Sequence, residues 1–520
     1  MQRPLLQAAI GQLAYDMVVI GGGATGLGVA LDASLRGLSV ALFESHDFAS
    51  GTSSRSTKLL HGGVRYLAQG NIALVREALA ERKTILHIAP HLAQALPFVM
   101  PSTSMLHQAF YGIGLKLYDL LAGKQGLGAT TFLNRKETHA ALPGMIDAAA
   151  VAGVKYWDGQ FDDARLALAL AKSAQDAGAL VRNHTSVCNL TPTPGNLHKF
   201  ALQVRDAFSG ETAELRTDCV VNAAGVWVDS VRQMASASPK PKMVTASQGV
   251  HLIVPRDLLP TDQALLVPKT ADGRVLFAVP WLGATILGTT DTPRDDAPRE
   301  PTPFDHEVDF ILRESSKLLR RPVTAADVSS VWVGLRPLVK PQGNYDGEGS
   351  TKTISREHTI AADKDGLITV TGGKWTTYRV MADEVLQMAI DKGLVRTQRA
   401  CSTATHKLSG SPGAQHNVSI TDAPGVHLYG TAIQHIAQLP GADNHLGMGL
   451  TQAMVRYSAQ SEYAVTVEDM LARRWRALFL DARAAKRMAP AVADILRSET
   501  GIDPQLSAFM QLCDQYTLAP

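Results

Sequence analysis

At 520 residues the chain exceeds what one compact core supports, so two or three domains are expected. It is 45% hydrophobic and 19% charged, and a formal charge of +2 without a dense basic run excludes a dedicated nucleic-acid binder. Cys188, Cys219, Cys401 and Cys513 lack CxxC spacing, which excludes a cysteine-ligated zinc or iron–sulfur site and points to buried, inert thiols in a reducing compartment.

Met1 to Ala14 lack the charged start and long apolar core of a secretory signal and read as a short amphipathic extension. Met17 to Ile20 is a fully apolar run, as a buried parallel strand requires. It leads into Gly21, Gly23 and Gly26 with G-x-G-x-x-G spacing, where Gly21 permits the tight turn, Gly23 admits a pyrophosphate and Gly26 lets a helix pack closely. That helix ends near Gly37 and aims its N-terminus at the phosphates. A second strand, Ser39 to Phe43, ends at Glu44, 18 residues after Gly26, where a carboxylate meets ribose hydroxyls. Strand, glycines, helix, strand and acid together predict a dinucleotide-binding unit.

The polar loop Gly51 to Lys58, with Ser53, Ser54, Thr57 and Lys58, suits FAD better than a nicotinamide cofactor, which would call for another βα unit here. Met105 to Leu121 carries Leu106, Phe110, Ile113, Leu117 and Leu121 at helical spacing with Lys116 and Lys124 nearby, so it reads either as a membrane-surface helix or as a buried one. No stretch reaches the roughly 20 apolar residues of a spanning helix, which leaves peripheral contact as the expected mode. Cys219 to Gly225 is an apolar strand ending in Ala223, Ala224 and Gly225, small enough for close approach to a cofactor. Strands near Val250 to Val254, Leu265 to Val267, Arg274 to Val279 and Thr285 to Gly288 predict a substrate-binding sheet. Residues 341–352 read as a flexible loop. Leu367 to Thr371 then runs into Gly372, Gly373 and Lys374 before a helix through Met388, a junction that offers N–H groups and a cation to an anionic flavin edge. A Ser/Thr/Gly/Pro-rich linker over 400–425 leads to helices expected near 466–488 and 490–500. The 16 histidines show no metal-ligand pair, so no metal site is expected.

Six stretches carry a family likeness: STKLLHGGVRYL from Ser56, GTTDT from Gly288, GLRPL from Gly334, SREH from Ser355, TGGKWTTYR from Thr371 and TVEDMLARR from Thr466. With them the chain resembles the FAD-dependent, quinone-linked glycerol-3-phosphate dehydrogenases, within the D-amino-acid-oxidase-like flavoproteins, from Tyr15 to about Ile502. Trp475 departs from the family pattern, which has a smaller polar residue there. The resemblance implies an α/β fold: a Rossmann-like FAD-binding domain (15–100, 150–240 and 355–398), an α+β substrate-binding domain (241–354) and a C-terminal helical domain (400–520). It implies oxidation of sn-glycerol 3-phosphate to dihydroxyacetone phosphate by hydride transfer to FAD, with quinone as acceptor at the inner face of the cytoplasmic membrane, and it leaves a homodimer open.

Implied cofactor contacts are Gly21, Gly23, Gly26, Glu44, Ser53, Ser54, Thr57, Lys58, Leu59, His61, Ala224, Gly225, Gly373, Lys374, Trp375 and Thr376. The reaction needs a base for the hydroxyl proton and cations for the phosphate. His61, Arg65, Tyr66, Arg336 and Lys374 are the implied catalytic residues, with His61 as provisional base and Arg336 on the phosphate or the reacting oxygen. His358 and Arg356 are weaker candidates at the pocket wall. The alternatives are an oxygen-using glycerol-3-phosphate oxidase, a related flavin amine or amino-acid oxidase, and a non-catalytic FAD-binding protein.

Overall fold

A computed structural model describes residues 4–63, 71–195, 197–270, 273–340, 358–412 and 419–518. The strand Ala14–Ile20 lies between Thr212–Asn222 and Val40–Phe43. Leu367–Gly372 extends one side and Leu180–Arg182 the other, so five strands run parallel. His358–Ala362 closes one edge antiparallel to Leu367–Gly372, and Thr185–Pro192 and Phe200–Asp206 attach beside Thr212–Asn222. Helices Ala24–Leu35, Asp163–Asp176 and Tyr378–Asp391 supply the buried apolar residues packed on this sheet. Such cover explains why its central strands read as unbroken apolar runs. At the N-terminus Leu6–Ile10 is a short helix with Leu6 and Ile10 inward, as the amphipathic reading expects.

The second sheet is mostly antiparallel and has ten strands, with Val244–Pro255 paired to both Ala284–Gly288 and Ser330–Val339. Four of its strands, Leu59–Leu60, Ala93–Ser102, Thr131–Asn134 and Ala152–Phe161, come from outside 241–354. Ala93–Ser102 and Ala152–Phe161 pair antiparallel over their whole length, and Ala264–Val267 joins this pair to the strands of 241–354. Residues 341–352 fall outside the described part.

The C-terminal region is helical, but the single helix expected near 466–488 is broken. A wide π turn over Asp469–Arg474 is followed by Ala477–Leu480 and then Ala482–Thr500, with Pro490 inside the last helix. Buried charge explains the break. Asp47, at the end of the cofactor-side sheet, is fully buried and ion-paired to both Arg473 and Arg474. Asn183 Nδ2 adds a bond of 2.9 Å to Asp47, Arg473 reaches Asp469 at 3.0 Å, and His184 Nε2 lies 3.0 Å from Asp469. Two adjacent arginines cannot both point inward from a regular helix, and the wider turn lets them. Burial works to raise the Asp47 carboxyl, but Arg474 and Arg473 overcome it and hold the group below the usual carboxylate range. Trp475 is fully buried, donates from Nε1 to Met448 O at 3.0 Å and stacks near Tyr429, which accounts for a large residue at that position. Not all thiols are buried: Cys219 and Cys513 are, with burial pushing both up to about 12, but Cys401 is half-buried and Cys188 exposed.

Asp47→Asn leaves the buried Arg474 without its carboxylate, while Arg473 keeps Asp469 and Glu468, so unfolding should become easier by about 3–5 kcal/mol. Because the Asp47 pKa is depressed, its contribution is present above the ordinary carboxylate pKa and fades as pH falls through the native value. Denaturant midpoints of both proteins at pH 7 and pH 3 test this: the gap should be wide at pH 7 and narrow in acid.

Candidate active site

The turn after Ile20 leaves no room for side chains at two glycines. A Cβ on Gly21 would lie 2.6 Å from Ala223 O, and one on Gly26 only 2.0 Å from Gly21 O. Gly21 also has φ +112°, a left-handed value that favours glycine. At Gly23 an added Cβ would meet only Ser53 Oγ, at 3.1 Å, so the backbone there faces open space at the start of a twelve-residue helix. That is the cradle a pyrophosphate needs. Glu44 closes it from the side, accepting from Gly22 N at 2.7 Å and His46 N at 2.9 Å.

The polar loop 51–58 folds back over this turn. Ser53 Oγ accepts from Ala24 N at 3.0 Å, and the Trp375 indole donates to Ser53 O at 2.8 Å. Ala224 and Gly225 follow the neighbouring strand, with Gly225 at φ +59° and open space where a Cβ would be. Thr371 Oγ1 donates to Gly225 O at 3.2 Å, which joins the Gly372–Gly373 turn to the same rim. Gly373 has φ +73°, and the half-buried Lys374 precedes a 3₁₀ turn, Trp375–Thr377, with Thr376 buried. The long helix therefore starts only at Tyr378, three residues later than a direct glycine–helix junction would place it. Gly21, Gly23, Gly26, Glu44, Ser53, Ala224, Gly225, Gly373 and Trp375 are thus brought together at the carboxyl ends of the parallel strands. The open backbone at Gly23 and Gly225 above the tight Gly21–Gly26 contact suits FAD.

Other expected residues lie differently. Lys58 is fully buried, and its ammonium donates to Ser54 O and Asp163 Oδ2 at 2.8 Å each, behind the loop rather than across the cleft. Leu59 is buried at the start of a two-residue strand, and Ser54 is buried within the loop. His61 follows that strand and is exposed. Arg65, Tyr66 and Arg356 lie outside the described residues. His358 sits on the sheet's edge strand, 2.6 Å from Glu384.

Arg336 is the residue the second sheet presents most deliberately. Its Nη1 lies 3.3 Å from Asp291 Oδ1 and from Gln248 O, while Nη2 lies 3.1 Å from Thr290 O and 3.3 Å from Thr289 Oγ1. Gly249 on the neighbouring strand makes room, since a Cβ there would meet Nη2 at 2.3 Å. Thr52 Oγ1 donates to Leu335 O at 2.5 Å, tying this strand to the cofactor loop. About a quarter of the Arg336 side chain remains exposed.

Sequence reasoning missed His251. It is 2% exposed, lies 2.9 Å by Nε2 from Thr57 Oγ1, and stacks on Trp332 with ring centroids 4.1 Å apart. Burial first, then the Lys58 and Arg336 cations, push its pKa well below the ordinary histidine value, so the ring is neutral at pH 7. The available signal was Gly288 at the end of a strand, a mark of close approach by another group: it pairs with His251, and a Cβ there would lie 2.8 Å from the imidazole.

Comparison with known proteins agrees with this geometry. The model of the FAD dependent oxidoreductase family matches residues 16–379, and that of the C-terminal domain of alpha-glycerophosphate oxidase matches 401–506. The mitochondrial glycerol-3-phosphate dehydrogenase SDP6 of Arabidopsis thaliana is 40% identical over 96% of this chain and 85% of its own length. The human mitochondrial glycerol-3-phosphate dehydrogenase is 36% identical over 94% of this chain and 71% of its own. The structure of the Bacillus halodurans glycerol-3-phosphate dehydrogenase complexed with FAD superposes with a TM-score of 0.77 at 29% identity, covering 98% of this chain and 97% of that one.

Two glycine variants separate cofactor binding from folding. Gly23→Val should fold yet purify without flavin absorbance, because its side chain occupies the pyrophosphate space. Gly26→Val should fail to fold, because its Cβ overlaps a backbone oxygen. A Gly23→Val protein with full flavin content would remove the pyrophosphate from this turn. Glycine turn, overall fold and matched sequence agree: the chain belongs to the FAD-dependent glycerol-3-phosphate dehydrogenases.

Proposed function

We propose that the chain oxidises sn-glycerol 3-phosphate to dihydroxyacetone phosphate and passes the electrons to a quinone at a membrane surface. The observation that carries the chemistry is Arg336, preset by four protein oxygens and still partly open beside a buried, neutral imidazole. FAD, when bound on the parallel sheet, supplies the two-electron acceptor. The protein's part is to orient and to move a proton. Arg336 holds the phosphate by charge-assisted hydrogen bonds, and the Thr and Asp groups behind it keep the guanidinium from swinging. Lys374, at the rim of the glycine turn, adds positive charge on the cofactor side. His61, exposed beside the glycine pair, is the acceptor of the C2 hydroxyl proton; His251 is neutral and buried, and the burial and cations that hold its pKa well below the ordinary value make it the weaker base.

Membrane contact follows from the acceptor, because quinones are lipid-soluble. The helix Met105–Ala122 turns Leu106, Phe110, Ile113, Leu117 and Leu120 to solvent at 82, 72, 68, 46 and 76% exposure. Leu120 takes the place expected for Leu121, which packs inward on Tyr118 and Leu79. Phe132 is exposed on the adjacent strand, with Lys116 6.0 Å from its ring centroid. Five large apolar side chains in one stripe are far more than a water-facing helix carries. Among the described residues no helix is long and apolar enough to cross a membrane, so contact through this face is peripheral.

Replacing Arg336 by alanine removes charged hydrogen bonds worth about 1.5–3 kcal/mol each, which is roughly a tenfold to hundredfold loss in kcat/KM per bond. Glycerol, which lacks the phosphate, should be a poor substrate barely affected by the change; equal losses for both move Arg336 to the reacting centre. Changing Phe110 and Leu117 together to serine should release the protein from vesicles of anionic lipid while dye-linked turnover stays near wild type. A variant that stays on the vesicles places the anchor elsewhere.

A further inference from the structure

We propose that the C-terminal domain completes the flavin site: Arg476 is a positioning residue that holds the cofactor loop 52–58 and, with Lys58, keeps positive charge behind it. This rests on reading that loop as a flavin contact.

Arg476 lies between the wide turn and the helix Ala477–Leu480, at φ +65°. Side chains other than glycine seldom adopt that conformation. An arginine where glycine would be free of strain indicates that the side chain itself is needed. It is fully buried and crosses from the C-terminal domain to the cofactor loop, where Nη2 donates to Ser54 O at 2.7 Å. Nη1 turns back to Ala472 O at 2.9 Å, and the guanidinium sits 4.1 Å from the Phe479 ring centroid.

Lys58, from the loop itself, donates to the same Ser54 carbonyl at 2.8 Å. One oxygen therefore accepts from both side chains. Both also face Asp163, Lys58 at 2.8 Å and Arg476 at 3.4 Å, and Ser56 donates to that carboxylate through Oγ at 2.7 Å. Around them stand Trp332, Trp281 and Phe479, with ring centroids 4.4, 5.3 and 5.5 Å from Lys58 Nζ. The neighbouring carboxyl, Asp162, is also buried, and burial raises its pKa against the pull of Arg476.

Lys58, Arg476, Asp163 and Asp162 thus stand together at the back of the loop, at a depth where water screens none of them. Burial, opposed by Asp163, brings Lys58 down to about 7, so its charge there is partial at neutral pH. The loop that Arg476 holds carries Ser53, whose hydroxyl accepts from Ala24 N at the start of the glycine turn, so a cofactor seated on that turn would feel both the placement of the loop and the charge of the guanidinium behind it. Arg476 touches neither cofactor nor substrate and acts through Ser54. The C-terminal domain, in this view, is part of the redox site rather than an appendage.

The test is Arg476→Gln, which keeps a donor for Ser54 O but removes the charge, compared with Arg476→Lys. Bound-flavin midpoint potential, flavin absorption spectrum, FAD affinity on reconstitution and thermal unfolding are measured together. Arg476→Gln should make the bound flavin at least tenfold harder to reduce, a shift of about 30 mV to more negative potential for a two-electron couple. FAD should bind more weakly, and Arg476→Lys should restore most of both. A lower Tm with unchanged potential, spectrum and FAD affinity would overturn the proposal. If Arg476→Gln does not fold, Lys58→Gln removes the other cation from the same carbonyl and is judged identically. Ser53→Ala is the control for the loop. If it leaves flavin affinity and spectrum unchanged, the loop assignment fails; if it changes them while the Arg476 and Lys58 variants do not, only the present proposal fails.

Discussion

The closest approach on which the rest depends is that of Gly26 to the carbonyl of Gly21, where one added carbon would sit 2.0 Å from the oxygen. It lets the helix Ala24–Leu35 start directly against the strand Ala14–Ile20, in the middle of five parallel strands. A second contact fixes the helix further along: a Cβ at Gly28 would strike the Tyr378 ring at 2.8 Å, so the helix Tyr378–Asp391 packs against it through a glycine. Turn, helix and second helix are thereby set before any cofactor is considered. Ser53 and Trp375 then have a fixed floor to reach, and the hydrogen bonds they make to it shape the cleft.

Legibility in the sequence tracked whether a position's role is local. Val40 to Phe43, Met17 to Ile20 and Leu367 to Val370 are buried on both sides, so their composition alone marks them as parallel strands. The glycine turn, Glu44 and the small residues after Asn222 were readable for the same reason. Partnership between distant strands is not local. Ala93–Ser102 has the composition of any half-buried strand, and nothing in it says that it pairs in parallel with Ala264–Val267. Lys58 shows the limit for single residues: a cation in a polar loop suggests a cofactor contact, but its direction is set by Trp281, Trp332 and Phe479, more than 200 residues away. His251 was hidden because Val244–Pro255 is buried along nearly its whole length, which erases the alternation that would single out a functional face.

Buried charge explains the largest departure from expectation. Alanine, leucine and arginine at helical spacing after Thr466 describe a surface helix only if the arginines face water. Here Arg473, Arg474 and Arg476 are all buried, and each is directed at the cofactor-binding part of the chain, to Asp47 or to Ser54 and Asp163. Their partners precede them by more than 300 residues, so the pattern could not be resolved from the local stretch. The cost of burying three guanidiniums is offset only when both regions are docked, which makes the two fold as one unit.

The exposed apolar helix is joined to the reactive region in an equally direct way. Tyr118, on the inner face of Met105–Ala122, leaves Gly62 no space for a side chain: a Cβ there would lie 2.1 Å from its hydroxyl and 2.7 Å from Leu79. Asp158 accepts from Gly62 N at 3.2 Å and is held by Arg82 at 2.7 Å, with the Tyr118 hydroxyl 3.4 Å away. Gly62 is adjacent to His61 and four residues beyond Lys58. The stripe from Leu106 to Leu120 and the segment that follows the cofactor loop therefore lie on opposite sides of a single helix, about 10 Å thick. On the proposed reading, with an acceptor dissolved in lipid, the chain would have to bring its cofactor close to the bilayer while keeping lipid away from the polar groups around Gly62. One helix with an apolar outer face and a hydrogen-bonded inner face would meet both requirements, because the wall that excludes lipid would also be the surface that meets it.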